Sequence, residues 1–172
     1  MTEEQIVEGT LNLFLKYGVN SVSMDDISNS IGVSKKTLYQ LFNSKEYLVE
    51  STIKEFISEQ DLEIRSIINE DINVIDKILK IYSIVLYHFK SSCPAFIHGL
   101  KKYFPETFNL LIDFKREQLQ VIITHLLMHG KNEGIFREDS DDKLIYELHI
   151  SRLKSIIYGL LSFKINCTCS NP

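Results

Sequence analysis

The sequence predicts an all-α protein, in which a small three-helix N-terminal head is joined by a long helix to a larger helical body. Three observations carry this. Only three prolines and seven glycines interrupt 172 residues. Apolar residues recur at three- and four-residue spacing along the chain, the period of a helix with one buried face. Ser23, Ser34 and Ser44 each precede such a stretch, where a side-chain oxygen can accept from the free N–H groups of a first helical turn.

The first helix is expected from Glu3 to Tyr17, with Ile6, Thr10, Leu13, Phe14 and Tyr17 on one face and Gly18 as the residue that ends it. Ser23 begins the second, with Asp26 in the acid position of a capping box. Apolar Ile27, Ile31, Val33, Leu38 and Leu41 then follow, with small Ser28 at a helix contact and Gly32 where a tight turn needs positive φ. This is the pattern of two short helices meeting at a steep angle, a helix-turn-helix. Ser34 caps the second of them. Leu38, Leu41 and Phe42 are expected in the core, with Lys36, Thr37 and Gln40 outward and Lys35 and Tyr39 on the flanks. A cationic, hydrogen-bonding, aromatic-edged helix face suits a reader of the DNA major groove.

The whole segment from Ile6 to Leu48 resembles the DNA-binding domain of TetR-family transcriptional regulators. The matching residues are Ile6, Leu13, Phe14 and Gly18, then Ser23 to Ile27, Gly32 to Tyr39, and Phe42 to Leu48. Ser28 stands where alanine is common in that family, and Leu41 where histidine or tyrosine often holds the DNA backbone. The resemblance implies a head at 1–48 that binds DNA and a body at 49–172 that binds a ligand and dimerises. Ser23, Ser34, Lys35, Lys36, Thr37, Tyr39, Gln40 and Lys45 form the expected DNA-binding set. Lys45 enters because the helix start after Ser44 offers free N–H groups and a positive dipole end to a phosphate.

Net charge is −4, which by itself argues against a nucleic-acid partner. The distribution matters more, since the stretch from Ser34 to Lys45 holds three lysines and no acid.

The joining helix is expected from Lys45 to Ile68, with Leu48, Thr52, Phe56 and Glu59 along one face. In the body, Asn73 and Asp76 mark a helix start, and Ile75, Leu79, Tyr82, Leu86 and Phe89 form a helical stripe broken at Cys93-Pro94. A short helix follows to Pro105, which suits the first turn of another. That helix carries Phe108, Leu111, Ile112, Leu119, Ile122 and Leu126 inward and stops near Gly130. The last long helix is expected from Asp142 to about Phe163. Its small residues Ser151, Ser155, Gly159 and Ser162, flanked by Leu148, fit a seam between two copies of the chain; the competing reading is a central helix of the monomer core.

Other chemistries find little footing. No phosphate-binding glycine loop, nucleophile elbow or Cys/His nucleophile pair is present, so no enzyme is expected. His125 and His129 sit at i, i+4, but the next carboxylate, Glu133, lies past the expected helix end. No metal or other cofactor is expected. Three cysteines suggest no disulfide framework, with Cys167 and Cys169 in a tail. No apolar run reaches membrane-span length and the acidic N-terminus is unlike a signal peptide, so a cytoplasmic protein without a membrane partner is expected. An effector pocket, if the body holds one, is expected to use Tyr82, Phe89, Phe96, Phe104, Phe114 and His125 and to take a small, mostly apolar ligand. The expected function is a ligand-released repressor that binds a palindromic operator as a homodimer. The alternative is a constitutive DNA-binding module with no effector pocket.

Overall fold

The computed structural model describes the backbone of residues 1–163, and their side chains except at 89, 90, 153, 154 and 156–163. The described chain is helical: α1 (Glu3–Tyr17), α2 (Met24–Ile31), α3 (Lys35–Leu41), α4 (Lys45–Ile68), α5 (Val74–Ser91), α6 (Pro94–Tyr103), α7 (Pro105–Asn132) and α8 (Asp142–Phe163). None of these helices is long and apolar enough to cross a membrane among the described residues.

The helix ends follow from the capping chemistry. Thr2 and Gln5 close a capping box on α1, and Ser23 and Asp26 close one on α2. Ser34 Oγ accepts from the Thr37 N–H at 3.0 Å, and Ser44 Oγ from the Tyr47 N–H at 3.1 Å. Gly32 ends α2 with φ 77 and ψ 32, the left-handed region that costs other residues a clash at Cβ.

The chain forms two compact units. The first contains Met1–Gln60 and His88–Leu111, so the head is packed with the start of α4 and with α6. Ile6, Phe14, Val19, Ile27, Leu38, Phe42, Leu48 and Ile53 are fully buried there, each contributing roughly 1.5–3 kcal/mol by leaving water. Helix α6 joins this core through Phe96 and Leu100. It also makes a backbone contact, the Cys93 N–H donating to the Leu15 carbonyl at 2.8 Å. A Cβ built on Gly18 would come within 2.7 Å of Ala95 Cβ, so glycine is what lets α6 sit this close to the end of α1.

The second unit contains Asp61–Tyr87 and the described residues from Ile112 onward. Its core gathers Ile64, Ile67, Val74, Ile81, Ile122 and Leu126, with Ile68, Ile78, Ile84 and Phe136 against them. Lys77 is buried beside it and donates from Nζ to the Ile68 carbonyl at 2.8 Å, one of the carbonyls that α4 leaves open at its C-terminus. Asn73 and Asp76 cap α5 reciprocally, at 2.9 Å and 2.6 Å.

Three faces differ from the sequence expectation. The buried side of α1 is Ile6, Val7, Thr10, Leu11 and Phe14, while Tyr17 is 50% exposed, its ring lying 4.8 Å from Lys16 Nζ. Leu41 is also exposed, because in the seven-residue α3 the core is filled by Leu38 and, one turn on, by Phe42. On α5 the regular stripe Ile75, Leu79, Tyr82 and Leu86 is exposed, and the buried residues are Val74, Lys77 and Ile81. The periodicity identified a helix but not which side of it meets the core.

Candidate nucleic-acid interface

The exposed face of α3 follows directly from the burial of its other side. With Leu38 and Phe42 fixed in the core, Lys36, Thr37, Tyr39 and Gln40 are all exposed. Ser34 both caps the helix and lies 2.8 Å from Thr37 Oγ1 through its hydroxyl, so two hydrogen-bonding groups at the N-terminal turn are held together. In a helix-turn-helix this turn is the part that approaches base edges.

Around α3 stand the starts of two other helices. At α2, the Asp26 carboxylate accepts from the Ser23 backbone N–H at 2.8 Å and from its hydroxyl at 2.6 Å. These bonds hold the Asp26 carboxyl below its ordinary range, the Ser23 hydroxyl first and the backbone N–H second. At α4, Lys45 is half-buried, and burial lowers its ammonium pKa against the opposing pull of Glu46 and Asp26. Lys45 Nζ lies 5.9 Å from the centre of the Phe104 ring, at the junction of α6 and α7. A half-buried ammonium at the positive end of a helix dipole is a suitable anchor for a phosphate oxygen.

Lys35 behaves differently from the other lysines. Its Nζ meets Asp25 Oδ2 at 2.5 Å across the turn, and that hydrogen bond raises its pKa. The lysine-rich, acid-free stretch is therefore partly neutralised by acids of the preceding helix. Sequence reasoning missed Asp25 as a member of the site; its only signal there is an acid in the first turn of α2, ten positions before Lys35.

The eight expected DNA-binding residues thus all lie in the first unit, seven of them exposed on α3 or at the caps of α2 and α3, and Lys45 half-buried at the start of α4. The expected pocket residues do not gather in one unit. Phe96, fully buried, and Phe104 belong to the first, whereas Tyr82, Phe114 and His125 belong to the second. Phe89 lies outside the described side chains. Tyr82 is exposed, and its hydroxyl lies 3.1 Å from His149 Nε2 on α8. His125 borders a surface groove of about 500 Å³ with Glu117, Gln120, Val121, Thr124 and Met128. Its ring lies 4.3 Å from that of His129, and burial first, then His129 and Lys77, lowers its pKa. Glu133 is engaged elsewhere, accepting from the Val74 N–H at 3.4 Å. No group of three or more His, Cys, Asp or Glu suited to a metal occurs among the described residues.

Of the expected seam, Leu148, Ser151 and Ser155 are exposed on α8, in line with exposed Leu144. Gly159 and Ser162 lie outside the described side chains.

Residues 6–52 match the family model of bacterial regulatory proteins of the tetR family. Over 145 residues the chain is 28% identical to the HTH-type transcriptional regulator YvaF of Bacillus subtilis, covering 84% of this chain and 75% of that one. It is 21% identical over 145 residues to the HTH-type transcriptional repressor KstR2 of Mycobacterium tuberculosis, covering 83% of this chain and 72% of that one. The fold is similar to that of the transcriptional regulator FadR from Bacillus subtilis, solved in complex with stearoyl-CoA. That match has a TM-score of 0.64 at 18% identity, over 98% of this chain and 90% of that one.

Proposed function

We propose, from the premise that this chain is a TetR-family transcriptional regulator, that it is a repressor which binds a palindromic operator as a homodimer and leaves it when an effector binds. The observation that carries the reading is α3. Its apolar side is locked by Leu38 and Phe42, and it presents Lys36, Thr37 and Gln40 to solvent from a capped N-terminal turn. Lys36 and Gln40 can donate to base edges, and Thr37 can give or accept a hydrogen bond and offer its methyl to thymine. Ser23, Tyr39 and Lys45 would hold phosphates and so fix the register without reading sequence.

Repression is favoured by the similarity to KstR2, whose described role is that of a repressor. Dimerisation is favoured by the exposed line Leu144, Leu148, Ser151 and Ser155 on α8, and by the short reach of one reading helix. Two heads one helical turn of DNA apart, roughly 34–36 Å, would read successive major-groove faces. A small, mostly apolar effector is favoured by the exposed apolar side chains of α5 and by the groove at His125. The FadR structure carries stearoyl-CoA, and apolar acyl compounds are a first class to try.

The test is enrichment of random duplexes on the purified protein, followed by titration of the winning sequence. Recovery of a two-fold symmetric site, bound by two protomers, supports the reading. Binding without any enriched sequence overturns it.

A further inference from the structure

We propose that the groove along α7 at His125 binds an uncharged, mostly apolar compound with two carbonyl-type oxygens, held by Gln118 at one end and by His125 at the other. The proposal names the chemistry of the effector and rests on the reading above for its effect on the operator. Two nitrogens carry it. Gln118 is 9% exposed and its Nε2 has no hydrogen-bond partner; the Nε2 of His125 is buried and also has none. Buried donors are paired in nearly all folded chains, and one left unpaired is destabilising until something accepts from it. Both lie on one side of one helix. Seven residues at a rise of 1.5 Å set them about 10 Å apart along the α7 axis. Between them Ile122 packs with Ile64 and Ile67, which fixes this side of the helix.

The groove lies against the same stretch. Its volume of about 500 Å³ is in the range of small-molecule sites, and it runs from Glu117 to Met128 past Val121 and His125. Val121, one turn after Gln118, and Met128 are exposed, so much of its floor is apolar. A molecule seated on them covers that surface, and its ends reach the two turns that carry Gln118 and His125. The groups present set its chemistry. The Gln118 Nε2 can only donate. Burial first, then His129 and Lys77, lowers the His125 pKa, so the ring is uncharged at neutral pH and can carry its proton on Nε2 as a second donor. Charges near the two ends are of both signs: Glu117 borders the groove, Lys115 one turn before Gln118 lies in the field of Glu63, and Lys77 acts on His125. Together they select no charged ligand, whereas two neutral donors select two neutral acceptors. Both nitrogens are shielded from water in the free protein and turn onto the groove by side-chain rotation when an acceptor arrives.

The experiment titrates the full-length protein by calorimetry with three probes. Dimethyl nonanedioate carries two carbonyl groups that span a similar length when extended, methyl decanoate carries one, and the nonanedioate dianion carries charge at both ends. Wild type is expected to bind the diester roughly three- to tenfold more tightly than the monoester, the worth of one further hydrogen bond, and to bind the dianion least. Gln118→Met and His125→Phe should each bind the diester no better than wild type binds the monoester. Gln118→Met keeps the side-chain shape and removes an orphaned donor, so it should also melt at or above the wild-type temperature without any probe. Equal wild-type affinity for diester and monoester, tighter binding of the dianion, or no binding of any probe overturns the site. So does a variant that keeps wild-type affinity for the diester, or a Gln118→Met protein that melts well below wild type, since the amide would then be paired in the free protein. A gel shift on the enriched operator with saturating diester is read separately. A diester that binds with the expected preference and leaves the operator occupied removes the ligand-release reading and not the site.

Discussion

The Lys35 ammonium and the Asp25 carboxylate meet at 2.5 Å across the turn between α2 and α3. Both side chains are more than half exposed, so the pair contributes little to folding. Its consequence is electrostatic: in the free protein one lysine of the motif is already answered by an acid beside the expected DNA surface. Asp25→Asn removes that acid. Binding to any duplex should tighten several-fold at low salt and the salt slope should steepen by up to about one unit, as Lys35 becomes available to a phosphate. A variant that binds more weakly would mean that Asp25 positions Lys35 on the DNA.

The base-reading role is separable from this. Lys36→Ala/Thr37→Ala should weaken operator binding by roughly 1–3 kcal/mol for each base no longer read, with much less effect on a scrambled duplex. The fold should survive, since both residues are exposed and Leu38 and Phe42 carry the packing of α3. Unchanged operator affinity in a gel-shift titration would remove α3 as the reader.

Two glycines predict different losses. Gly18 has φ 86, and a side chain there would collide with Ala95, 2.7 Å from its Cβ and 3.0 Å from its carbonyl carbon. Gly18→Ala should therefore cost both backbone strain and the docking of α6, on the order of 2–4 kcal/mol. Gly32, at φ 77, has nothing within 4 Å of a built Cβ, so Gly32→Ala should cost only the left-handed strain of about 1–2 kcal/mol. Chemical denaturation of both variants checks the order; equal losses would show that the packing against Ala95 is soft.

The contrast also explains what could be read from sequence. Caps and turns are local, so Ser23 with Asp26, Ser34, Ser44, Gly18 and Gly32 announced the helix limits, and the observed limits of α4 and the start of α8 coincide with the expected ones. The outward face of α3 was legible for the same reason except at Leu41, which the seven-residue helix leaves exposed. Which side of α5 meets a core is not local. Ile75, Leu79, Tyr82 and Leu86 make the more regular stripe, yet the core takes Val74 and Ile81, because the residues that pack there come from α4 and α7. The ion pair of Lys35 with Asp25 and the seat of α6 on Gly18 join residues brought together only by folding.

Lys115 offers a test by pH in the second unit. Burial lowers its pKa to about 8, against a weaker opposing pull from Glu63. An unfolded lysine titrates near ~10.4, so between about pH 8 and that value the unfolded chain holds more protons than the folded one. Stability contributed by this site is therefore lowest below pH 8, rises as pH increases through that window, and is complete above it. Lys115→Met should raise stability at pH 7, on the order of 1–3 kcal/mol, and abolish the rise between pH 8 and 10. A variant less stable than wild type at pH 7 would mean that the ammonium is satisfied by its partners.

The proposed seam on α8 is the surface that would bring two heads together. Leu144 and Leu148 are 56% and 60% exposed, one turn apart, and Ser151 and Ser155 continue the same line with side chains too small to hold a partner helix away. Ser155 turns its hydroxyl back onto the Ser151 carbonyl at 3.0 Å, which leaves the line less polar than its composition implies. An apolar line of this kind in water favours a matching surface, and a second copy of the same helix supplies one by two-fold symmetry. Leu148→Asp places a charge in the middle of the line without touching the core, because the side chain is exposed in a single chain. Light scattering should show a shift from dimer to monomer, with the helical signal retained. Operator affinity should fall by a large factor because one head alone grips too little of the duplex for tight binding, while Lys36, Thr37 and Lys45 are untouched. A variant that stays dimeric and keeps the operator would move the interface off this face of α8, and a wild type that is monomeric at micromolar concentration would remove it altogether.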